Sequence, residues 1–193
     1  MSLVLYSTPT SPFVRRIRLL MEPLECEVQF VNFFDAGPRQ DYAQITPIRK
    51  VPVLDDNGTR IFDSHSIQQH LFNTLNLPAL SVDEQNLISV IDSVLDSLVT
   101  ILMSKRSGIE IDPELLIFAL QTERVADSLS WLEAQCQTRD MSEWNYVSMC
   151  LLSMVHWTQF RSLVDYSDYP AILAAIAPFE SHPLVQSTMP VNP

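Results

Sequence analysis

The chain has 193 residues, 47% of them hydrophobic and 18% charged, a balance that builds a packed core and excludes an intrinsically disordered chain. Twelve Lys/Arg against 23 Asp/Glu leave a formal net charge of −11, which opposes binding to a phosphate backbone and excludes nucleic acid as the expected partner. The imbalance is uneven, with seven basic against eight acidic side chains in residues 1–80 and five against fifteen in residues 81–193. Only the first part is open to an anionic small molecule, and the acidic second part disfavours anionic membrane surfaces.

The opening MSLVLYSTPTSP lacks the basic n-region of a secretory signal and is broken by prolines. No apolar run reads as long enough to cross a bilayer, so the expectation is a cytoplasmic protein without membrane contact. Residues 3–6 read as a short buried strand. A turn-rich stretch, Ser7 to Pro12, leads into a helix with Ser11 as N-cap and Pro12 at its first position. Phe13, Val14, Ile17, Leu20 and Met21 form one apolar stripe, and Arg15, Arg16 and Arg18 lie off it. Residues 26–33 (CEVQFVNF) read as a second strand, and 34–49 as loop or short helix. Strands at 50–55 and 59–62 flank Asp56-Asn57-Gly58, a strong hairpin signal. Asp63 and Ser64 then cap a helix whose apolar positions Ile67, Leu71 and Leu75 recur every four residues.

Residues 76–86 read as a linker, with Ser81 or Asp83 opening a long helix striped by Leu87, Ile91, Val94, Leu95, Leu98 and Leu102. Asp112-Pro113 is expected to open a second helix, running to about Cys136. Asn145 is expected to cap a third that is apolar nearly all round and therefore central, and Tyr169-Pro170 a short fourth. Domains are thus expected at 1–77 (α/β) and 87–193 (all-helical), with a linker at 78–86. Cys26, Cys136 and Cys150 are widely spaced, form no C-x-x-C pair, and read as small buried hydrophobes. His65 and His70 are five apart, the wrong spacing for two ligands on one helix face, so no metal site is expected; His156 reads as a core residue.

Three segments in order resemble the bacterial glutathione S-transferases. Ser11-Pro12-Phe13-Val14-Arg15-Arg16 is similar to the family's Ser-Pro-Phe-x-Arg-Lys. Thr46-Pro47-Ile48-Arg49-Lys50-Val51-Pro52-Val53-Leu54 resembles its Asn-Pro-x-Gly-Lys-Val-Pro-x-Leu, and Asp63-Ser64-His65-Ser66-Ile67 its Asp-Ser-x-x-Ile. Residues 145–161 resemble the family's central buried helix ending in Phe-Arg. The resemblance implies a thioredoxin-like β-α-β-α-β-β-α domain followed by a helical bundle, glutathione as co-substrate, and a homodimer.

It also implies a site. Glutathione reacts as a thiolate, so its host needs donors at the sulfur, an edge for the peptide backbone and polar sockets for the terminal charges. The family pattern places Ser11 at the sulfur, beside Phe13. Val51 pairs with the peptide backbone next to a cis bond to Pro52. Asp63 and Ser64 meet the γ-glutamyl end, and Arg49 and Lys50 the glycine carboxylate. Read from the residues alone, Ser11, Asp63 and Ser64 are equally helix caps, Pro52 a strand start, and Arg49 and Lys50 exposed cations; Ser7 and Thr10 are fallback donors. A small hydrophobic electrophile is expected between the domains against Met103, Trp157 and Phe160. The family's Asn and Gly are replaced here by Thr46 and Arg49. These departures leave a second expectation open, a non-catalytic binding or regulatory protein of the same fold. A glutathione-dependent isomerase or dehalogenase would use the same site.

Overall fold

The computed structural model describes residues 3–32 and 35–191. Its elements in chain order are β1 (Leu3–Ser7), α1 (Pro12–Leu20), β2 (Glu27–Phe30), α2 (Ala36–Tyr42), β3 (Val53–Asp56), β4 (Thr59–Phe62) and α3 (Ser64–Thr74). Then come α4 (Val82–Arg106), α5 (Leu116–Thr138), α6 (Tyr146–Phe160), α7 (Pro170–Ile176), a 3₁₀ turn (Ala177–Phe179) and α8 (Pro183–Ser187). Two compact units result: Met1–Ala79 together with Ser181–Pro193, and Leu80–Glu180. The C-terminal stretch, expected in the helical domain, thus packs with the first unit.

The first unit has the thioredoxin-like order β-α-β-α-β-β-α. Its sheet runs β2-β1-β3-β4, with β1 parallel to β2 and antiparallel to β3, and a β3–β4 hairpin. The hairpin turns on Asn57 and Gly58, both at positive φ (51° and 90°), the backbone that an Asn-Gly pair accepts most readily. Strand β2 is shorter than the predicted 26–33, although the Val31 amide still donates to the Ser7 carbonyl (2.8 Å). Phe33 and Phe34, the last residue of that prediction and the first of the next segment, lie outside the described residues. Leu5 and Leu54, paired across β1 and β3 and therefore on one face of the sheet, are buried, as are Ile17 on the stripe of α1 and Ile67 and Leu71 on that of α3.

Arg15 and Arg16, which fall off the apolar stripe, are nevertheless buried, at 4% and 1% exposure. Arg15 Nη2 donates to the Val185 carbonyl (2.9 Å) and Nε to Thr188 Oγ1 (3.3 Å). These bonds tie the C-terminal stretch to α1 and explain why it belongs with the first unit. Helical periodicity records only which side of α1 a residue takes, and the side of Arg15 is covered by chain about 170 residues later in the sequence.

In the second unit α4 packs on α5 and α6. Ser81 and Glu84 form a capping box at its start. By length and composition α4 is apolar enough to cross a membrane, with a window of mean hydropathy 1.8, which corrects the expectation that no segment is. Half of that window is buried inside the structure, as in a bundle-core helix. Helix α5 begins at Leu116, after Asp112-Pro113. The Asp112 carboxylate accepts from the Glu114 amide (2.9 Å), so these residues form a turn ahead of the helix. Asn145 and Ser148 cap α6 reciprocally (3.1 and 3.0 Å), and the helix is buried almost throughout. His156 is buried against Glu180 Oε1 at 2.7 Å.

Of the three cysteines only Cys150 is buried; Cys26 and Cys136 are half-buried, unlike the expectation for all three. Burial, reinforced by the charge of Glu133, nevertheless raises the Cys136 thiol from 9.0 to about 11. Thiolate fraction falls tenfold per unit, so Cys136 in the folded chain at about pH 8 should alkylate roughly a hundredfold more slowly than in denaturant. Iodoacetamide labelling followed by peptide mapping measures this; equal rates would contradict the assigned burial.

Candidate functional site

The sheet register assembles the site. Tyr6 of β1 faces Val53 of β3, and Val53 faces Phe62 of β4. One step beyond these three residues the chain continues as Ser7 into the turn before α1, as Pro52, and as Asp63 at the start of α3. Three segments far apart in sequence therefore leave the sheet at the same end. These are the segments that the sequence singled out.

At the first, Ser11 has extended backbone (φ −77°, ψ 123°) and its Oγ accepts from the Val14 amide at 3.2 Å, the N-cap geometry. A capping hydroxyl uses a lone pair for the cap and keeps its proton to donate. Ser11 thus offers an O–H donor and the positive end of the α1 dipole at one place, and it is half-buried. Ser7, a fallback donor, is fully buried, and its hydroxyl lies 3.4 Å from the Thr8 carbonyl. Thr10 is half-buried.

At the second, the Val51–Pro52 bond is cis, as the resemblance implies. Val51 is half-buried and Pro52 buried. The loop before them is held by Tyr42, whose hydroxyl donates to the Lys50 carbonyl at 2.9 Å and whose ring lies 6.2 Å from that of Tyr6. Burial, with Tyr6 nearby, pushes the Tyr42 phenol well above its ordinary range, so it remains a donor. Arg49 and Lys50 are exposed. Arg49 sits at φ 49°, in the left-handed region that glycine enters without steric cost, which accounts physically for the family's glycine there. Thr46 is fully buried, and its Oγ1 makes no hydrogen bond among the described residues, so that departure lies inside the unit and not at a rim.

At the third, Asp63 (φ 70°) caps α3, its carboxylate accepting from the His65 amide at 2.9 Å. Ser64 is buried, and Arg16 Nη2 donates to its Oγ at 2.6 Å. The Arg16 guanidinium also lies over the Phe13 ring, 4.9 Å from its centroid. Arg16 and Tyr42 are the residues that sequence reasoning missed. The Phe13–Arg16 spacing was a signal for the ring contact; nothing local foretells the partner 48 residues away.

The predicted second-substrate residues all fall in the helical unit. Met103 on α4 is 46% exposed, Trp157 in α6 is buried, and Phe160 at the end of α6 lies under the Arg161 guanidinium at 4.6 Å. A separate cavity of about 440 Å³ in the same unit is lined by Leu98, Ile101, Lys105, Thr122, Leu129 and Tyr169 among others, and by none of those three. Among the described residues no group of three His, Cys, Asp or Glu is placed to hold a metal.

Residues 5–90 match the family described as glutathione S-transferase, N-terminal domain. Among solved structures, the chain is similar to a glutathione S-transferase from Methylobacillus flagellatus KT with glutathione bound. The TM-score is 0.84 at 20% identity, covering 98% of this chain and 100% of that one. It is similar to one from Methylobacterium radiotolerans JCM 2831 in complex with glutathione sulfonate (0.85, 17%, 100% and 97%). It is also similar to a glutathione transferase family member from Pseudomonas fluorescens Pf-5 with bound glutathione (0.84, 21%, 99% and 100%). A comparison with curated protein sequences gives no match. Residues 5–90 thus match the model of the glutathione S-transferase N-terminal domain, and the chain as a whole has the glutathione S-transferase fold.

Proposed function

We propose that this chain, built on a glutathione S-transferase N-terminal domain, binds glutathione and presents its sulfur as a thiolate to a small hydrophobic electrophile. What supports the reading above all is the register that carries Ser11, Val51–Pro52 and Asp63–Ser64 to one end of the sheet. Ser11 and the α1 N-terminus stabilise the thiolate; the Val51 backbone pairs with the tripeptide as an added strand. Asp63 receives the γ-glutamyl ammonium and Ser64 its carboxylate, while Arg49 and Lys50 meet the glycine carboxylate. The thiol proton passes to solvent. The sulfur lone pair then forms a C–S bond while the leaving group departs with the electrons of the broken bond, and Ser11 is never covalently modified. A homodimer, carried by the resemblance, and a cytosolic location belong to the same reading.

A second reading, glutathione binding without turnover, is favoured by one observation: Arg49 adds an exposed, left-handed cation where the family has glycine. Retention on immobilised glutathione, with release by free glutathione, together with conjugation of chlorodinitrobenzene, is the expected result. Retention without conjugation of any electrophile in a panel selects the second reading, and no retention removes both.

A further inference from the structure

The buried arginine behind the start of α3 has no role in the reading above, and the geometry points to one. We propose that Arg16 is the positioning residue for the γ-glutamyl carboxylate, acting through Ser64; the inference rests on the proposed glutathione site and deepens it. A serine hydroxyl at a helix start rotates freely among staggered positions and either donates or accepts. Here Arg16 Nη2 donates to Ser64 Oγ at 2.6 Å, so one lone pair of that oxygen is engaged by a cation that never loses its proton. The hydroxyl proton is thereby turned away from Arg16 and is left as a donor. A hydroxyl that accepts from a guanidinium is also polarised into a stronger donor, which suits an anionic acceptor.

Arg16 itself is fixed. Its residue is 1% exposed, Phe13 lies under the guanidinium at 4.9 Å, and α1 packs on α3. The result is a permanent buried positive charge behind the first turn of α3, where the backbone N–H groups already favour an anion. Carboxylate recognition at this end is thus built from two layers: Ser64 and the α3 amides in front, Arg16 behind. Because Phe13 and Arg16 follow Ser11 on the same helix, one rigid α1 sets the sulfur end and the γ-glutamyl end of the tripeptide at a fixed separation.

Calorimetric titration and steady-state kinetics on the full chain test this. Arg16→Met should weaken glutathione binding by about tenfold or more while kcat at saturation stays within about twofold, because the lost interaction serves ligand and transition state alike. Arg16→Lys, which keeps the charge but loses the fork, should recover part of the affinity and carries the test if Arg16→Met fails to fold. In a Ser64→Ala background Arg16→Met should cost no more than about a further twofold. Binding of cysteinylglycine, which lacks the γ-glutamyl group, should not change. Equal losses for cysteinylglycine, or full additivity with Ser64→Ala, would reduce Arg16 to a strut and overturn the proposal, as would unchanged glutathione affinity. A wild-type chain that binds no glutathione sinks the site reading itself, and this inference with it.

Discussion

Ser11→Ala should bind glutathione within a few-fold of the wild type and lose about two orders of magnitude in turnover. The two readouts separate because Ser11 contributes one hydroxyl among many contacts to the tripeptide, but it is the side-chain donor proposed at the sulfur. Removing one preorganised donor to a developing or resident anion typically costs about 10²–10³ in rate. The loss should depend on pH in a definite direction. An ordinary thiol titrates near about 8.5, and a donor that stabilises the thiolate lowers that value. Taking the donor away raises the apparent pKa, so the deficit is largest in mildly acid solution and shrinks as the pH rises through it.

The same substitution removes the cap on the Val14 amide, which is 3.2 Å from Ser11 Oγ. Loss of a cap lowers stability by about 1 kcal/mol, so a rate defect caused by a frayed α1 must be distinguished from one caused by a missing donor. Ser11→Asp makes that distinction. Aspartate is as good an N-cap as serine and favours the helix dipole, so α1 should hold, yet its charge opposes a thiolate at the same place. The expected order of turnover is wild type, then Ser11→Thr, then Ser11→Ala, with Ser11→Asp last; the expected order of melting temperature places Ser11→Asp above Ser11→Ala. Turnover that instead follows melting temperature would leave Ser11 a cap and nothing more.

The features legible in the sequence are those written in short-range patterns. The Ser11-Pro12 start, the Asn57-Gly58 hairpin and the Asn145 cap are each decided by side chains within three or four residues, and each appears where expected. The sheet register was not written that way. It follows from pairing β1 with β3 and β3 with β4, and only the motif order, not any local signal, hinted that Ser11, Pro52 and Ser64 share one end. The buried arginines show the limit most clearly. Arg15 and Arg16 carry charges that composition places at a surface, yet each is enclosed by partners distant in sequence: Val185 and Thr188 for one, Ser64 for the other. The start of α5 was missed for the opposite reason. Asp-Pro opens helices often, but here the Asp112 carboxylate binds the Glu114 amide and closes a turn first.

Glu133→Ala should be the most destabilising single change in the helical unit that leaves its apolar core intact. Tyr169, at the N-cap of α7, provides no capping side-chain bond, and Pro170 follows. The cap comes instead from α5: Glu133 Oε1 accepts from the Ala171 amide and Oε2 from the Ile172 amide, both at 2.9 Å. The carboxylate is buried, Ile172 is fully buried, and Gln137 Nε2 donates to Oε1 at 3.2 Å. Truncation therefore leaves one buried and one half-buried donor facing a void that cannot replace a charged acceptor. A loss of about 3 kcal/mol is expected. At roughly 2–4 °C per kcal/mol for a chain of this size, the melting temperature should fall by about 6–12 °C. Glu133→Gln keeps one carbonyl acceptor but turns an amide N–H₂ toward the other backbone donor, and should fall between alanine and wild type. Glutathione binding of the folded variant should be unchanged at low temperature, since Glu133 lies outside the site proposed in the first unit. Thermal melts of the three proteins decide the matter. An alanine variant that melts within a degree of the wild type would mean that solvent reaches the α7 amides and that the α5 carboxylate holds nothing in place.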